Sequence, residues 1–328
     1  MNENYVLLYG PKKVEDIIFA TNMFKHTRFI PIGWTKNSKE IINKTVEEEI
    51  SNNISQIIFW GLEDGWDYTI EKIKKEHPEI KIKVICNTSN SLLYYEYERR
   101  NFVKMLDLST NDKIDDIGFL RKNMYDVYSK LGYKSSYILE NLQFKESHKK
   151  AKTGEILQIG FYPFNYTWDK NIYNQLSIGK FLKDCVINYN FIDKKMEEFL
   201  KVMNINSQKE TIENTEILPT AQEIQPIDIN NIADTVCKND INIACDFTDY
   251  VHTLYFLSME NDTLCIIGNN SELFDEGLVV NSEDNPIEIS KKIEEAVANK
   301  ETIMQNYKKW KSEYNIASEE SINKFINK

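Results

Sequence analysis

Residues Asp240–Ser271 read DINIACDFTDYVHTLYFLSMENDTLCIIGNNS, and three short elements can be taken from them. Ile241 to Phe247 is an apolar run that fits a strand buried on both faces. Thr248 and Asp249 are good caps for a helix predicted over Tyr250 to Met259. Leu264 to Ile267 is a second buried strand, stopped by Gly268-Asn269-Asn270. A strand, a capped helix and a strand make one βαβ unit. In open parallel sheets ligands bind at the carboxyl ends of the strands, beside helix N-termini that favour anions. Asp249 and the Gly268–Asn270 loop are therefore expected to line a site.

The same alternation extends in both directions. Towards the N-terminus, strands are predicted at Tyr5–Tyr9, Phe29–Ile32, Gln56–Trp60 and Ile82–Cys86, with Tyr137–Leu139 closing that half. Helices are predicted between them, one of them within Asp115–Gly132 as IGFLRKNMYDVYSKLG, ended by Gly132. Closer to the opening stretch lie strands at Ile156–Gly160 and Cys185–Asn190 and a helix from Asn171 to Lys183. Beyond it come a strand at Leu278–Val280, an amphipathic helix over Pro286–Lys300 and a long final helix from Thr302. The run KESHKKAKTG, Lys145 to Gly154, has no apolar periodicity and reads as an interdomain linker. The expected arrangement is α/β, with one domain over residues 1–150 and another over 151–315. The final helix, 316–328, is expected to complete the first domain, because Tyr307, Trp310, Tyr314 and Phe325 carry more apolar surface than a free tail exposes.

Composition narrows the classes. The 328 residues carry a net charge of −11, which argues against a nucleic-acid binder working through a positive field. Five cysteines without CxxC spacing read as reduced core residues. No stretch has the ~18 apolar residues of a membrane span, and no secretory leader is evident. The expected location is cytoplasmic, with attachment at the inner face of the membrane left open. No metal is expected, since no DxD pair follows a strand; Asp115-Asp116 and Glu47-Glu48-Glu49 read as helix surface.

Several segments carry a family likeness. WDKNIYNQL (Trp168–Leu176), ADTVCKNDINIACDFTDY (Ala233–Tyr250), TLCIIGNNSELF (Thr263–Phe274), the stretch Leu278–Ile303 and YKKWKSEYN (Tyr307–Asn315) resemble the C-terminal domain of bacterial glycosyltransferases of the retaining, family-4-like kind. In the first half, KVICNTSNS (Lys83–Ser91) and YSKLGYKSSYILEN (Tyr128–Asn141) look like matching segments. The resemblance implies a GT-B architecture of two Rossmann-like domains. It also implies a nucleotide-sugar donor and an acceptor that is a glycan, a lipid-linked sugar or a protein.

Such enzymes carry a Glu, seven residues and a second Glu. Counting back from CIIGNNS puts the first at Asp249, the implied catalytic carboxylate, and the second at Leu257, which cannot accept a ribose hydroxyl. Glu260, three residues on, is a substitute that could share a helix face with Leu257, and Leu257→Glu is expected to tighten donor binding. Lys170, ahead of a helix, is expected to neutralise the leaving diphosphate, with Asn171, Gly268, Asn269 and Asn270 around it. Gly10, Asn87 and Ser89 are expected on the acceptor side, with Asn87 where similar proteins often have His. Three readings stay open: an active glycosyltransferase, an inactive GT-B-like subunit that binds acceptor or stabilises a partner glycosyltransferase, and a different Rossmann-type binder.

Overall fold

A computed structural model describes residues 4–10, 20–30, 36–141, 156–162, 168–189, 194–209, 235–248, 253–269, 274 and 277–328. The chain divides into two compact units. The first holds the described residues through 141 together with Tyr314–Lys328, and the second those from 156 to Glu313. The expected linker, Lys145–Gly154, lies outside the described residues.

In the first unit six parallel strands form one sheet: β1 (Tyr5–Tyr9), β2 (Thr27–Phe29), β3 (Gln56–Trp60), β4 (Lys81–Cys86), β5 (Asp116–Phe119) and β6 (Ser135–Tyr137). Their order is β2-β1-β3-β4-β5-β6, so the winding reverses between β1 and β3. Ile57, Phe59, Ile82, Val84, Ile117 and Phe119 are fully buried, as expected of strands covered on both faces. Helices α1 (Lys36–Ser51), α2 (Trp66–Glu76), α3 (Glu96–Thr110) and α4 (Lys122–Lys130) connect them.

The helix predicted within Asp115–Gly132 is present but shorter, as α4, and the residues read as its first turn belong to β5. The two aspartates are held by the sheet. Asp115 Oδ2 accepts the Ile82 backbone N–H at 2.7 Å and Lys74 Nζ at 2.7 Å. Asp116, 1% exposed, accepts Ser136 Oγ at 2.6 Å and Lys328 Nζ at 2.8 Å. A four-residue strand inside an apolar pattern is too short to betray its period.

In the second unit β7 (Leu157–Phe161), β8 (Cys185–Tyr189), β9 (Ser207–Lys209), β10 (Ile241–Ala244), β11 (Leu264–Gly268) and β12 (Val279–Val280) are again all parallel. Their order, β12-β11-β10-β7-β8-β9, is the doubly wound arrangement of mononucleotide-binding halves, with its switch point between β7 and β10. Helices α5 (Ile172–Ser177), α6 (Lys194–Val202), α7 (Thr253–Glu260) and α8 (Pro286–Ala298) link the strands. Asn285 caps α8, its side chain accepting the N–H groups of Ile287 and Glu288, with Pro286 at the first turn.

A polar cluster lies over this sheet. Asn188 Nδ2 donates to Asn239 Oδ1 at 2.8 Å, Asn239 Nδ2 to Tyr162 Oη at 2.8 Å and Asn242 Oδ1 at 2.9 Å, and Asn242 Nδ2 to Ser258 Oγ at 2.9 Å. Gly160 makes room for it. A Cβ there would stand 1.9 Å from Asn242 Oδ1.

The last helix, α9 (Lys300–Asn327), begins in the second unit and ends in the first. Its end is fastened to the first sheet. Lys83, 1% exposed in the middle of β4, donates to the carbonyls of Phe325 and of Ile326, satisfying helix-end acceptors that have no partner within the helix. Leu139 is held from both sides, its N–H by Ser321 Oγ at 3.0 Å and its carbonyl by Ser318 Oγ at 2.8 Å. Gly118 leaves space for Phe325, whose ring would be 3.1 Å from a Cβ at that position. Among the described residues no helix is long and apolar enough to cross a membrane.

Candidate functional site

The switch point of the second sheet holds a largely buried ion pair. The loop after β7 reaches Trp168–Asn171, and the loop after β10 carries Cys245–Thr248. Lys170 Nζ lies 2.6 Å from Asp246 Oδ2 and 4.0 Å from Asp169 Oδ2. The two side chains of the closer pair are only 16% and 14% exposed. Burial pushes the Asp246 carboxyl above its ordinary value, while Lys170 and Gln175 pull it back.

The mesh around the pair is continuous. Gln175, fully buried, accepts the Cys245 N–H at 2.9 Å and donates to the Lys170 carbonyl at 2.8 Å. Phe247 N–H donates to the Asp169 carbonyl at 2.7 Å, and Thr248 Oγ1 to Asp169 Oδ2 at 3.3 Å. Trp168, half exposed, lies nearly parallel to Phe247 with ring centroids 6.1 Å apart. Lys170 is thus a positioned cation in the loop after β7, held by an acid from the loop after β10.

The other expected donor residues divide. Gly268 ends β11, paired with Val280, and Asn269 beside it is exposed. Asn171 is 4% exposed and its side chain donates to the carbonyls of Cys245 and Glu283. It ties loops together instead of facing a ligand. Glu260 does not lie beside Lys170, contrary to expectation. It ends α7, at the opposite edge of the sheet from Lys170, and accepts Tyr307 Oη at 2.7 Å and Lys311 Nζ. Leu257 is 1% exposed, so a carboxylate placed there would be buried in the core, and the expected gain from Leu257→Glu is withdrawn. Asp249 and Asn270 lie outside the described residues.

Asp246 and Gln175 were not anticipated. The strand predicted through Phe247 stops at Ala244, and the three residues taken for strand supply the acid that holds Lys170. A carboxylate closing an apolar strand run was the available signal.

At the carboxyl edge of the first sheet, Gly10 is buried against Trp66 and Glu63, where a Cβ would lie 3.2 Å from Trp66 Cζ2. Asn87 is half-buried and packs onto Gly61, whose φ of +73° and missing Cβ permit the approach. Ser89, 2% exposed, shares a hydrogen bond of 3.2 Å with Ser91 Oγ, which closes its own turn. Of the three residues expected on the acceptor side, Asn87 lines a cleft together with Glu63, Thr88, Glu98 and Asn101.

Among the described residues one acid–histidine group has metal-ligand spacing, Glu47, Glu76 and His77. It is a surface group, and Lys72 Nζ stands 3.0 Å from Glu47 and 3.6 Å from Glu76.

No protein-family model and no curated protein sequence matches the chain. Solved structures do. Anabaena HepE in complex with UDP-glucose aligns with a TM-score of 0.68 at 7% identity, over 98% of this chain and 99% of that one. The same protein is also known with UDP and with UDP and glucose. A glycosyltransferase from Rickettsia africae aligns with a TM-score of 0.61 at 10% identity, over 98% and 96%. A Listeria monocytogenes protein described as a UDP-N-acetylglucosamine 2-epimerase aligns at 0.57 and 9%, over 98% and 94%. At such identities the likeness defines the fold, and the fold is GT-B.

Proposed function

We propose that the chain is a glycosyltransferase that takes its sugar from a nucleotide-sugar donor, bound at the switch point of the second unit. The observation that carries the reading is Lys170, held 2.6 Å from Asp246 at the carboxyl ends of β7 and β10. That HepE is known with UDP-glucose supports a uridine donor.

Transfer breaks the bond between the sugar's C1 and the donor phosphate oxygen and forms one from C1 to an acceptor hydroxyl oxygen, whose proton leaves to the departing diphosphate. The departing diphosphate gains negative charge. Lys170 Nζ swings from Asp246 to that oxygen and stabilises the charge as it develops. Asp246, already inclined towards its neutral form by burial, keeps a hydrogen bond to Gln175 when the lysine leaves. The exposed face of Trp168 takes the base, and the backbone at Gly268 and Asn269 borders the phosphates. Lysine supplies the cation, so the proposed reaction uses no metal. Asp249 is the proposed catalytic carboxylate in this reading, which is the retaining, family-4-like one, and the acceptor is a cell-surface glycan, glycolipid or protein.

Titration calorimetry with UDP-, GDP-, ADP- and CMP-sugars, paired with detection of released nucleotide, tests the proposal. UDP-glucose should bind and release UDP slowly to water. Leu257 stands apolar where similar enzymes place a ribose-binding carboxylate, and this is the one observation that favours a non-catalytic subunit. Silence across the donor panel would favour that second reading.

A further inference from the structure

We propose that the cleft at the carboxyl ends of β3 and β4 in the first unit binds a small cationic or neutral head group that donates hydrogen bonds, best met by the ammonium of an amino sugar, and that it excludes anions. This deepens the acceptor side of the reading above and rests on it. Two buried side chains without partners point to a ligand. Thr88 is 8% exposed and Asn101 4%, both line the cleft, and neither Thr88 Oγ1 nor either amide atom of Asn101, Oδ1 or Nδ2, has a hydrogen-bond partner. Folded proteins satisfy nearly all such atoms, because leaving one bare forfeits its hydration. Two bare groups on one cleft wall mark a place where something else completes them.

The walls define what that is. Asn101 Oδ1 accepts only, and so do the carboxylates of Glu63 and Glu98 when ionised. Glu63, 5% exposed, takes the Tyr97 hydroxyl as one donor. The surroundings are electrically negative. The Tyr97 hydroxyl is pushed up by burial and then by Glu63 and Asp64, with Asn101 opposing. The Cys86 thiol is pushed up to about 12 by burial, with Glu98 adding to it and Arg121 opposing. Arg121 in turn lies 4.0 Å from Glu140. An ammonium offers three donors to Asn101 Oδ1 and the two carboxylates. Asn101 Nδ2 and the Thr88 hydroxyl can serve a neighbouring sugar hydroxyl, whereas a phosphate or carboxylate would face the charge of the Glu63 and Glu98 carboxylates.

Saturation-transfer NMR on the full chain tests this with glucosamine, glucose and glucuronate as probes. Glucosamine should receive saturation, glucose less, and glucuronate none. In Asn101→Leu the glucosamine signal should fall at least tenfold, while the Tm of the ligand-free protein holds or rises, because a bare polar group has been removed. Thr88→Val, the same shape without the hydroxyl, should act in the same direction. Equal signals from glucuronate and glucosamine, or no signal from either, would overturn the proposal. So would a fall in Tm in both variants without change in the probe signals, since an ordered water then completes the two groups. UDP-glucose titrated into the same wild-type sample reads donor binding separately, so failure of one does not pass for failure of the other.

Discussion

Lys170→Met removes the cation proposed to hold the donor diphosphate, and it also strips Asp246 of its partner. The two consequences have separable sizes. A hydrogen bond to a charged partner contributes about 1.5–3 kcal/mol, so the Kd for UDP-glucose should rise about 10- to 150-fold at ~1.4 kcal/mol per tenfold. Leaving one member of a buried pair alone costs about 3–5 kcal/mol. With both side chains about one-sixth exposed, the lower end applies. The stability loss should depend on pH. Burial already raises the Asp246 pKa above its ordinary value, and losing Lys170 raises it further. A carboxyl whose folded pKa exceeds its unfolded one loses stability as pH climbs from the ordinary carboxylate value to the raised one. Lys170→Met should therefore be closer to wild type at pH 4 than at pH 7 in urea melts. The double variant Lys170→Met/Asp246→Asn removes both charges, restores most of the stability and keeps the binding defect. A double variant that folds and binds UDP-glucose with the wild-type Kd would refute the placement of the donor site.

Lys83 gives a second pH dependence, of opposite sense. Burial lowers its pKa from 10.5 to about 8, so the unfolded chain holds the extra proton between those values, and stability should rise by about 3 kcal/mol from pH 8 to 10.5. Urea midpoints read the slope, and Lys83→Met should abolish it. Gly160→Ala drives a methyl to within 1.9 Å of Asn242 Oδ1 and 2.4 Å of Asn239 Nδ2. The asparagine cluster must then break, and a loss of about 3 kcal/mol should appear as a lower Tm. Leu257→Glu buries a carboxylate and should lower the Tm without tightening UDP-glucose, as paired melting and titration experiments would register.

The alternation of strand and helix was legible because parallel strands buried on both faces print themselves as short apolar runs, as QIIFW at Gln56–Trp60 does. β5 escaped because Asp115 and Asp116 at its start look like a solvated helix face until Ile82, Ser136 and Lys328 supply their partners. Those partners come from distant parts of the chain, and no local pattern announces them. The candidate site was half legible. Lys170 stands out as a basic residue between a strand and a helix. Asp246 does not, because a strand read two or three residues too long hides the acid at its end. Glu260 was misplaced for a geometric reason: three residues along a helix keep the face but move ~4.5 Å down the axis, here to the wrong edge of the sheet.

The first unit borrows its last piece from the far end of the chain. Phe325 sits in the space left by Gly118, and the amine of Lys83 has its acceptors in the carbonyls of Phe325 and Ile326. During synthesis the sheet holding Lys83 is made before the second unit, and the residues that finish it, from Tyr314 onward, are made after that unit. At roughly 5–20 residues per second, everything between must emerge first, which takes on the order of ten to thirty seconds. Throughout that interval the nascent sheet carries a lysine in its interior with nothing to receive its hydrogen bonds and an open slot where a phenyl ring belongs. The same reasoning makes a chain cut after the first sheet a poor folder, and appending Tyr314–Lys328 as a separate peptide should rescue it.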